Sequence, residues 1–171
     1  TQFLAEEALR RANAADEAAR AEAERSRQVA EETNFQLLEA QRIGKIGHWI
    51  SNEVTKTVTW SPQMFEIAGL DPAPVLSVSQ ARTPIHPEDL PEFIAALKRC
   101  VASRQPVTLE HRWIRPGGAL RYVHIDMTPQ FDDAGVCIHL LGTAQDITER
   151  KTADEALKAA QQQLVDAIES I

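Results

Sequence analysis

Two groups of residues in this 171-residue chain carry side chains that could do chemistry. The first is the tetrapeptide 86–89, HPED, in which an imidazole and two carboxylates are close in sequence. Such groups can exchange protons, but carboxylates at the start of a helix first serve as caps and as partners of the helix dipole. The chain has no Gly-rich phosphate loop, nucleophile elbow or metal-ligand spacing of His, Cys and carboxylates. The sequence therefore predicts neither catalysis nor a metal site.

The second is His111, which lies between Leu109 and Trp113 on the apolar side of an alternating pattern. A buried imidazole needs a hydrogen-bond partner, and its charge state responds to its surroundings. Two interpretations stay open: a core histidine with its hydrogen bonds satisfied, or a group that contacts a ligand or responds to pH.

The composition narrows the class of protein. The formal net charge is −7, which argues against a nucleic-acid partner because phosphate binding needs a basic surface. No run approaches the roughly 20 apolar residues of a membrane-spanning helix, so we expect no membrane contact. Cys100 and Cys137 lie far apart; we expect two reduced thiols in a cytoplasmic protein, with a disulfide as the alternative.

The elements that position these groups begin with residues 1–42, which lack Gly and Pro and are rich in Ala, Glu and Arg. This composition predicts one long helix, with small residues such as Ala5, Ala12 and Ala19 at one heptad position. The helix would reach roughly 60 Å, so it must pair or fray. We predict a homodimer through coiled-coil helices; a solvated single helix or a disordered linker is the alternative.

Residues 43–148 have the texture of a compact domain, with short apolar runs separated by Pro and Gly. Ile46–Ser51 and Thr55–Trp60 are expected to form a hairpin. A short helix follows, and Asp71–Pro84, with three prolines, is expected to be a loop with at most one helical turn.

The rest of the domain is expected to be a helix from His86 to Arg104 and an antiparallel meander of three strands that ends at Gln145. From Glu149 the pattern is helical to the end, with Leu157, Leu164 and Ile171 spaced seven residues apart. This spacing is typical of a second coiled-coil seam. The chain starts without Met and ends within this pattern, so we expect it to be a piece of a longer protein.

Several segments, in this order and spacing, resemble those of PAS domains, the small sensory modules of bacterial signalling proteins. They are 40–49 (AQRIGKIGHW), 59–62 (TWSP), 65–71 (FEIAGLD), 85–89 (IHPED), 110–116 (EHRWIRP) and 142–151 (GTAQDITERK). The resemblance implies an α+β fold, a five-stranded antiparallel sheet with helices on one face, flanked by long N- and C-terminal coiled-coil-like helices. The expected divisions are a helix at 1–42, the PAS domain at 43–148 and a linker helix at 149–171.

The resemblance also implies a function. A module of this kind relays a conformational change and does not catalyse, and we expect its parent to be a multi-domain sensor histidine kinase. Asp146, Ile147 and Thr148 match the C-terminal Asp-Ile-Thr motif of the family, so they are expected to couple the sheet to the exit helix. The alternatives are a module of a diguanylate cyclase or phosphodiesterase, and a ligand-free spacer that only supports dimerisation.

PAS sheets can enclose a ligand against their helices. The candidate pocket residues here are Met64, Phe65, Phe93, Leu97, His111, Trp113, Ile125 and Leu140. They are bulky, so a filled core and a pocket for a small apolar or aromatic ligand both stay open. No cofactor is expected, since the reactive-cysteine motif of photoactive flavin domains is missing and His86 precedes the long helix that usually supplies a heme ligand.

Overall fold

The computed structural model describes all residues, 1–171, as five helices and six strands. The helices are α1 (Gln2–Gly44), α2 (Pro62–Ala68), α3 (Val78–Arg82), α4 (Leu90–Ser103) and α5 (Thr148–Glu169). The strands are β1 (Ile46–Asn52), β2 (Thr57–Trp60), β3 (Leu76–Ser77), β4 (Val107–Ile114), β5 (Leu120–Phe131) and β6 (Cys137–Asp146). The contacts divide the chain into two units, Thr1–Ala40 and Gln41–Ile171.

The first unit is helical from Gln2 onward, as the composition predicts, and buries none of its residues. Its surface carries ion pairs one turn apart, such as Arg20 with Asp16 at 3.0 Å, and large apolar side chains such as Phe3 and Phe35. Pairs of this kind contribute only a few tenths of a kcal/mol each. This stretch of helix has no core of its own.

The second unit is built on one antiparallel sheet with the strand order β3-β2-β1-β6-β5-β4. The predicted α+β architecture is confirmed, but the sheet has six strands where five were expected. The additional strand β3 lies in the segment predicted to be a loop, where Leu76 pairs with Val58 and Ser77 with Thr57. Burial of the Leu76 side chain provides the reason, because that side chain anchors a two-residue strand among the prolines.

Gly142 marks the closest packing in the sheet. It lies on the central strand β6, opposite Trp49 of β1 and Met127 of β5. A Cβ atom at this position would lie 2.4 Å from the Trp49 indole and 2.6 Å from the carbonyl oxygen of Asp126. Only glycine leaves room for the indole here.

The HPED tetrapeptide has a structural role, because its residues hydrogen-bond to the edge strand β4. The helix predicted from His86 begins later, at Leu90, because the preceding residues bind the edge strand β4. His86 donates its N–H to the carbonyl oxygen of Arg112 at 2.9 Å. The carboxylate of Asp89 accepts hydrogen bonds from the backbone N–H and the guanidinium of Arg112, at 2.7 to 2.9 Å. These bonds lower the pKa of Asp89 to about 2.

The core lies between one face of the sheet and the helices α2 and α4. Its largest fully buried side chains include Met64, Val123, Ile125 and Met127. Cys100 and Cys137 are both free thiols. No helix combines the length and the apolar character needed to cross a membrane.

Candidate ligand cavity and signal junction

A cavity of about 490 Å³ lies on the inner face of the sheet. Its walls come from the sheet and from α2, α3 and α4, and they are mainly apolar. Six of the eight predicted pocket residues line it: Met64, Phe93, Leu97, Trp113, Ile125 and Leu140. Cavities of a few hundred Å³ are typical of small-molecule sites. This volume favours a pocket over a completely filled core.

Phe65 and His111, the other two predicted pocket residues, do not line the cavity. Successive helical residues point about 100° apart, so Phe65 turns away from its neighbour Met64 and packs with Val58 and Leu76 in a second apolar cluster. The alternation correctly placed His111 on the inner face, but its ring is not among the cavity walls.

His111 supports the cavity wall. Its side chain is buried, and its Nε2 atom accepts a hydrogen bond from the indole N–H of Trp113 at 2.8 Å. The Phe93 ring lies 5.3 Å from the imidazole, between ring centroids. The Nδ1 atom, which carries the proton of the neutral ring, is buried without a partner. His111 therefore holds the Trp113 indole in place.

Stability should depend on pH through His111. Burial lowers its pKa from 6.5 to about 4, although the nearby Asp89 carboxylate opposes the shift. Between these values the unfolded chain binds a proton that the folded protein does not. The free energy of unfolding should therefore fall by up to about 1.4 kcal/mol for each pH unit on acidification.

This pH dependence can be measured by urea unfolding at several pH values from 7 to 4. His111→Gln keeps an acceptor for Trp113 but does not titrate, so it should flatten the profile. His139→Gln, on another strand, is the matched control and should leave the slope unchanged. A wild-type slope that survives in His111→Gln would contradict the assignment.

Several other lining residues were not predicted from the sequence. Trp49 and Trp60, on the hairpin strands, complete a cavity lined by all three tryptophans of the chain. Their alternation with polar residues in the predicted hairpin was the signal that could have placed them on the inner face. Arg82 and Lys98 also line the cavity, but a lone basic residue on a helix gives no signal of that kind.

A second feature is the junction between β6 and α5. Oδ1 of Asp146 accepts hydrogen bonds from the backbone N–H and the hydroxyl group of Thr148. The Thr148 hydroxyl oxygen in turn accepts the backbone N–H of Tyr122 on β5, at 3.0 Å. The N–H of Ile147, which is buried, donates to the carbonyl oxygen of Tyr122 at 2.9 Å. The three motif residues thus fasten the start of α5 to a neighbouring strand.

The same junction meets the point where the chain enters the domain. Lys45, the residue just before β1, accepts the N–H of Asp146 at its carbonyl oxygen, at 3.0 Å. Its side chain forms an ion pair with Glu149 of α5 at 2.7 Å. The entry and the exit of the domain are therefore joined directly, which the sequence pattern did not reveal because the two residues are far apart along the chain.

The first turn of α5 is also bound to the outer face of the sheet. Glu110 on β4 forms ion pairs with Lys151 at 3.2 Å and with Arg150 at 3.5 Å. The hydrogen bond with Lys151 is the main reason why the pKa of Glu110 lies below its usual value. These ion pairs connect β4 to the first turn of α5.

The chain is similar to several proteins. A family model described as PAS fold matches residues 57–144. The uncharacterized protein y4lL of Sinorhizobium fredii is 32% identical over 80 residues, which are 47% of this chain and 10% of that protein. The chain therefore spans about a tenth of this relative.

Solved structures extend the similarity to the three-dimensional fold. A sensory box histidine kinase/response regulator of Burkholderia thailandensis is 26% identical, with a TM-score of 0.63 over 77% of this chain and 98% of that one. The N-terminal domain of a diguanylate cyclase with a PAS/PAC sensor from Marinobacter aquaeolei is 21% identical, with a TM-score of 0.56 over 62% and 98% of the two chains. With its matched family model, its antiparallel sheet and its Asp-Ile-Thr junction, this chain belongs to the PAS-fold family.

Proposed function

We propose that this PAS domain senses a small molecule in its cavity and passes a conformational change to helix α5. One observation carries the proposal: the cavity and the junction share strand β6. Leu140 lines the cavity and is buried, and Asp146, at the end of the same strand, holds the first residue of α5. A shift of this strand would act at both places.

The mechanism needs two arrangements of the junction with similar free energies. An occupant that contacts Leu140 and Ile125 would favour one small displacement of β6 relative to β5, with the strand pairing kept. Asp146 and Thr148 would transmit this difference to the direction or order of α5. A ligand can shift such an equilibrium only by its difference in affinity for the two states.

The output helix supports dimerisation as part of this function. Three large apolar side chains of α5 are exposed: Leu157 by 59%, Leu164 by 63% and Ile168 by 62%. Burial of such side chains is favourable, so this surface is suited to a contact with a partner. Leu157 and Leu164 are seven residues apart, as a coiled-coil seam requires. We propose that α5, and the long helix α1, pair with their copies in a homodimer.

The parent protein is proposed to be a cytoplasmic sensor histidine kinase, in line with the Burkholderia structure. A diguanylate cyclase or phosphodiesterase is the second candidate, supported by the Marinobacter structure through the fold alone. The domain itself relays and does not catalyse. The cavity argues against the third candidate, a spacer that binds nothing.

Native mass spectrometry tests the assembly. We expect a dimer for the wild-type chain and a monomer for Leu164→Lys, because a lysine in the seam repels its copy across the pair. Gln162→Lys, on the same exposed helix, is the matched control and should remain dimeric. Extra mass on the dimer would identify a bound molecule. A wild-type monomer at tens of micromolar would show that the proposed pairing is wrong.

A further inference from the structure

We propose that the cavity binds a flat aromatic carboxylate, with its ring against the indole side chains and its carboxylate on Arg82. This inference rests on the proposed sensory function, because it names the class of molecule that the domain would sense. Three properties of the walls carry it: their aromatic content, their charge and the pairing of their polar groups.

The aromatic content points to a planar ring. All three tryptophans of the chain line the cavity together with Phe93. The indoles of Trp60 and Trp113 are nearly parallel, at 15°, with centroids 6.0 Å apart. Aromatic pairs favour offset-stacked and edge-to-face contacts at such distances. One water molecule occupies about 30 Å³ in the liquid. The cavity volume of about 490 Å³ is many times larger, so the cavity has room for a bicyclic ring.

The charge of the walls points to an anion. Three cations and one carboxylate line the cavity: Lys56, Arg82, Lys98 and Glu53. This local excess of positive charge occurs in a chain with a net charge of −7. The chain as a whole is negative and attracts cations, but the walls of this cavity carry more positive than negative side chains. The cavity therefore favours an anion.

The pairing of these groups shows which cation is free to bind. The Glu53 carboxylate accepts a hydrogen bond from the Ser51 hydroxyl at 2.7 Å and pairs with Lys56 at 3.2 Å. The side chains of Arg82 and Lys98 form no hydrogen bond or ion pair within the protein. Arg82 is half-buried, whereas Lys98 is exposed.

Arg82 is a partly buried residue of the cavity wall, and its guanidinium has no partner within the protein. A carboxylate would provide one, since guanidinium binds carboxylate through two parallel hydrogen bonds. An amine would find only Glu53, which is already engaged. The structure therefore favours an organic acid over an organic base.

Calorimetric titration of the whole chain tests the proposal with four probes. Indole-3-acetate is the aromatic acid, indole-3-acetamide its neutral analogue, tryptamine its cationic analogue and decanoate an aliphatic acid. We expect indole-3-acetate to bind at least tenfold more tightly than each of the others, because only it satisfies both the ring surface and Arg82.

Two variants separate the role of Arg82 from a general effect of charge. Arg82→Gln should weaken indole-3-acetate at least tenfold and leave indole-3-acetamide unchanged. Arg99→Gln, on the exposed side of α4 and outside the cavity lining, should bind both probes like the wild type. Thermal melting of each variant checks that it folds.

Each remaining outcome overturns a stated part of the proposal. Equal binding of the acid and the amide, or tighter binding of tryptamine, would exclude the carboxylate. Tighter binding of decanoate would exclude the aromatic ring, and no binding of any probe at about 1 mM would exclude the whole class.

The sensory function can fail separately. If indole-3-acetate binds but leaves the hydrogen exchange of α5 unchanged, the ligand class stands and the relay does not. If no probe binds while packing changes in the cavity still alter α5 through Asp146, the relay stands and the ligand class does not.

Discussion

Gly142→Ala should lower the free energy of unfolding by about 3 kcal/mol, at the upper end of the usual range for overpacking. The added Cβ would lie 2.4 Å from the Trp49 indole and 2.6 Å from a backbone carbonyl oxygen. The indole fills the core and the carbonyl belongs to the central ladder, so neither can move without loss. Urea unfolding followed by circular dichroism measures the change, and the midpoint of thermal unfolding should fall by roughly 10 °C.

Gly44→Ala is the matched control for this prediction. Its Cβ would contact only the flexible end of Ile46, at 3.3 Å, and alanine favours the helix that contains Gly44. We therefore expect stability within about 1 kcal/mol of the wild type. If Gly142→Ala were as stable as Gly44→Ala, the close packing of Trp49 against β6 would be contradicted.

Asp146→Ala should detach the start of α5 from the sheet while leaving the domain folded and its ligand binding largely intact. The substitution removes the acceptor of the Thr148 N–H and hydroxyl bonds and the partner of Arg121, which lies 3.7 Å away. A hydrogen bond to a charged group contributes about 1.5–3 kcal/mol. Amide exchange in residues 149–153 should therefore accelerate on the order of ten- to a hundredfold, and the full-length protein should stop signalling.

Asp154→Ala provides the control, since this aspartate is exposed on the same helix. It should change neither the exchange of residues 149–153 nor the signal by more than a factor of about two. Unchanged exchange in Asp146→Ala, or normal signalling by the variant, would show that the Asp-Ile-Thr motif does not couple the sheet to the helix.

The regular elements could be predicted because their signals are local. Alternation along β4, β5 and β6 is a pattern of neighbouring residues, and the lack of Gly and Pro in residues 1–42 is likewise a local signal. The family resemblance of the motifs then indicated how these elements assemble. Strand β3 was missed because two residues are too few for a periodic pattern, and its pairing with β2 depends on Leu76 reaching a distant apolar cluster.

The candidate site was only partly predictable, for a related reason. Alternation shows which face of a strand a side chain occupies, but it does not show whether a neighbouring ring fills the space. His111 is on the correct face and yet serves Trp113 rather than the cavity. Whether the bulky inner side chains fill the core depends on the distance at which α3 and α4 pack against the sheet. That distance is a property of the whole domain.

The junction shows the same limit. The motif residues Asp146 and Thr148 were identified from the sequence, but their partners Lys45 and Tyr122 were not. Glu110, the partner of Lys151 in the first turn of α5, was not identified either. These partners come from three separate segments, and only the register of the sheet brings them to α5.

Packing in the cavity should control the start of α5 through Asp146. Hydrogen exchange of residues 149–153 should be compared in the wild type, Leu140→Phe, Asp146→Ala and the double variant. Leu140 lines the cavity, so phenylalanine there fills part of it without a ligand. Leu141→Phe is the control, because adjacent strand residues face opposite sides of the sheet.

Leu140→Phe should change this exchange at least threefold in the wild-type background, and the effect should disappear when Asp146 is alanine. Leu141→Phe should have no such effect. If Leu140→Phe leaves the hydrogen exchange of α5 unchanged, the cavity and the exit helix are not coupled through this junction. The same holds if it changes the exchange equally with Asp146 present and with Asp146→Ala.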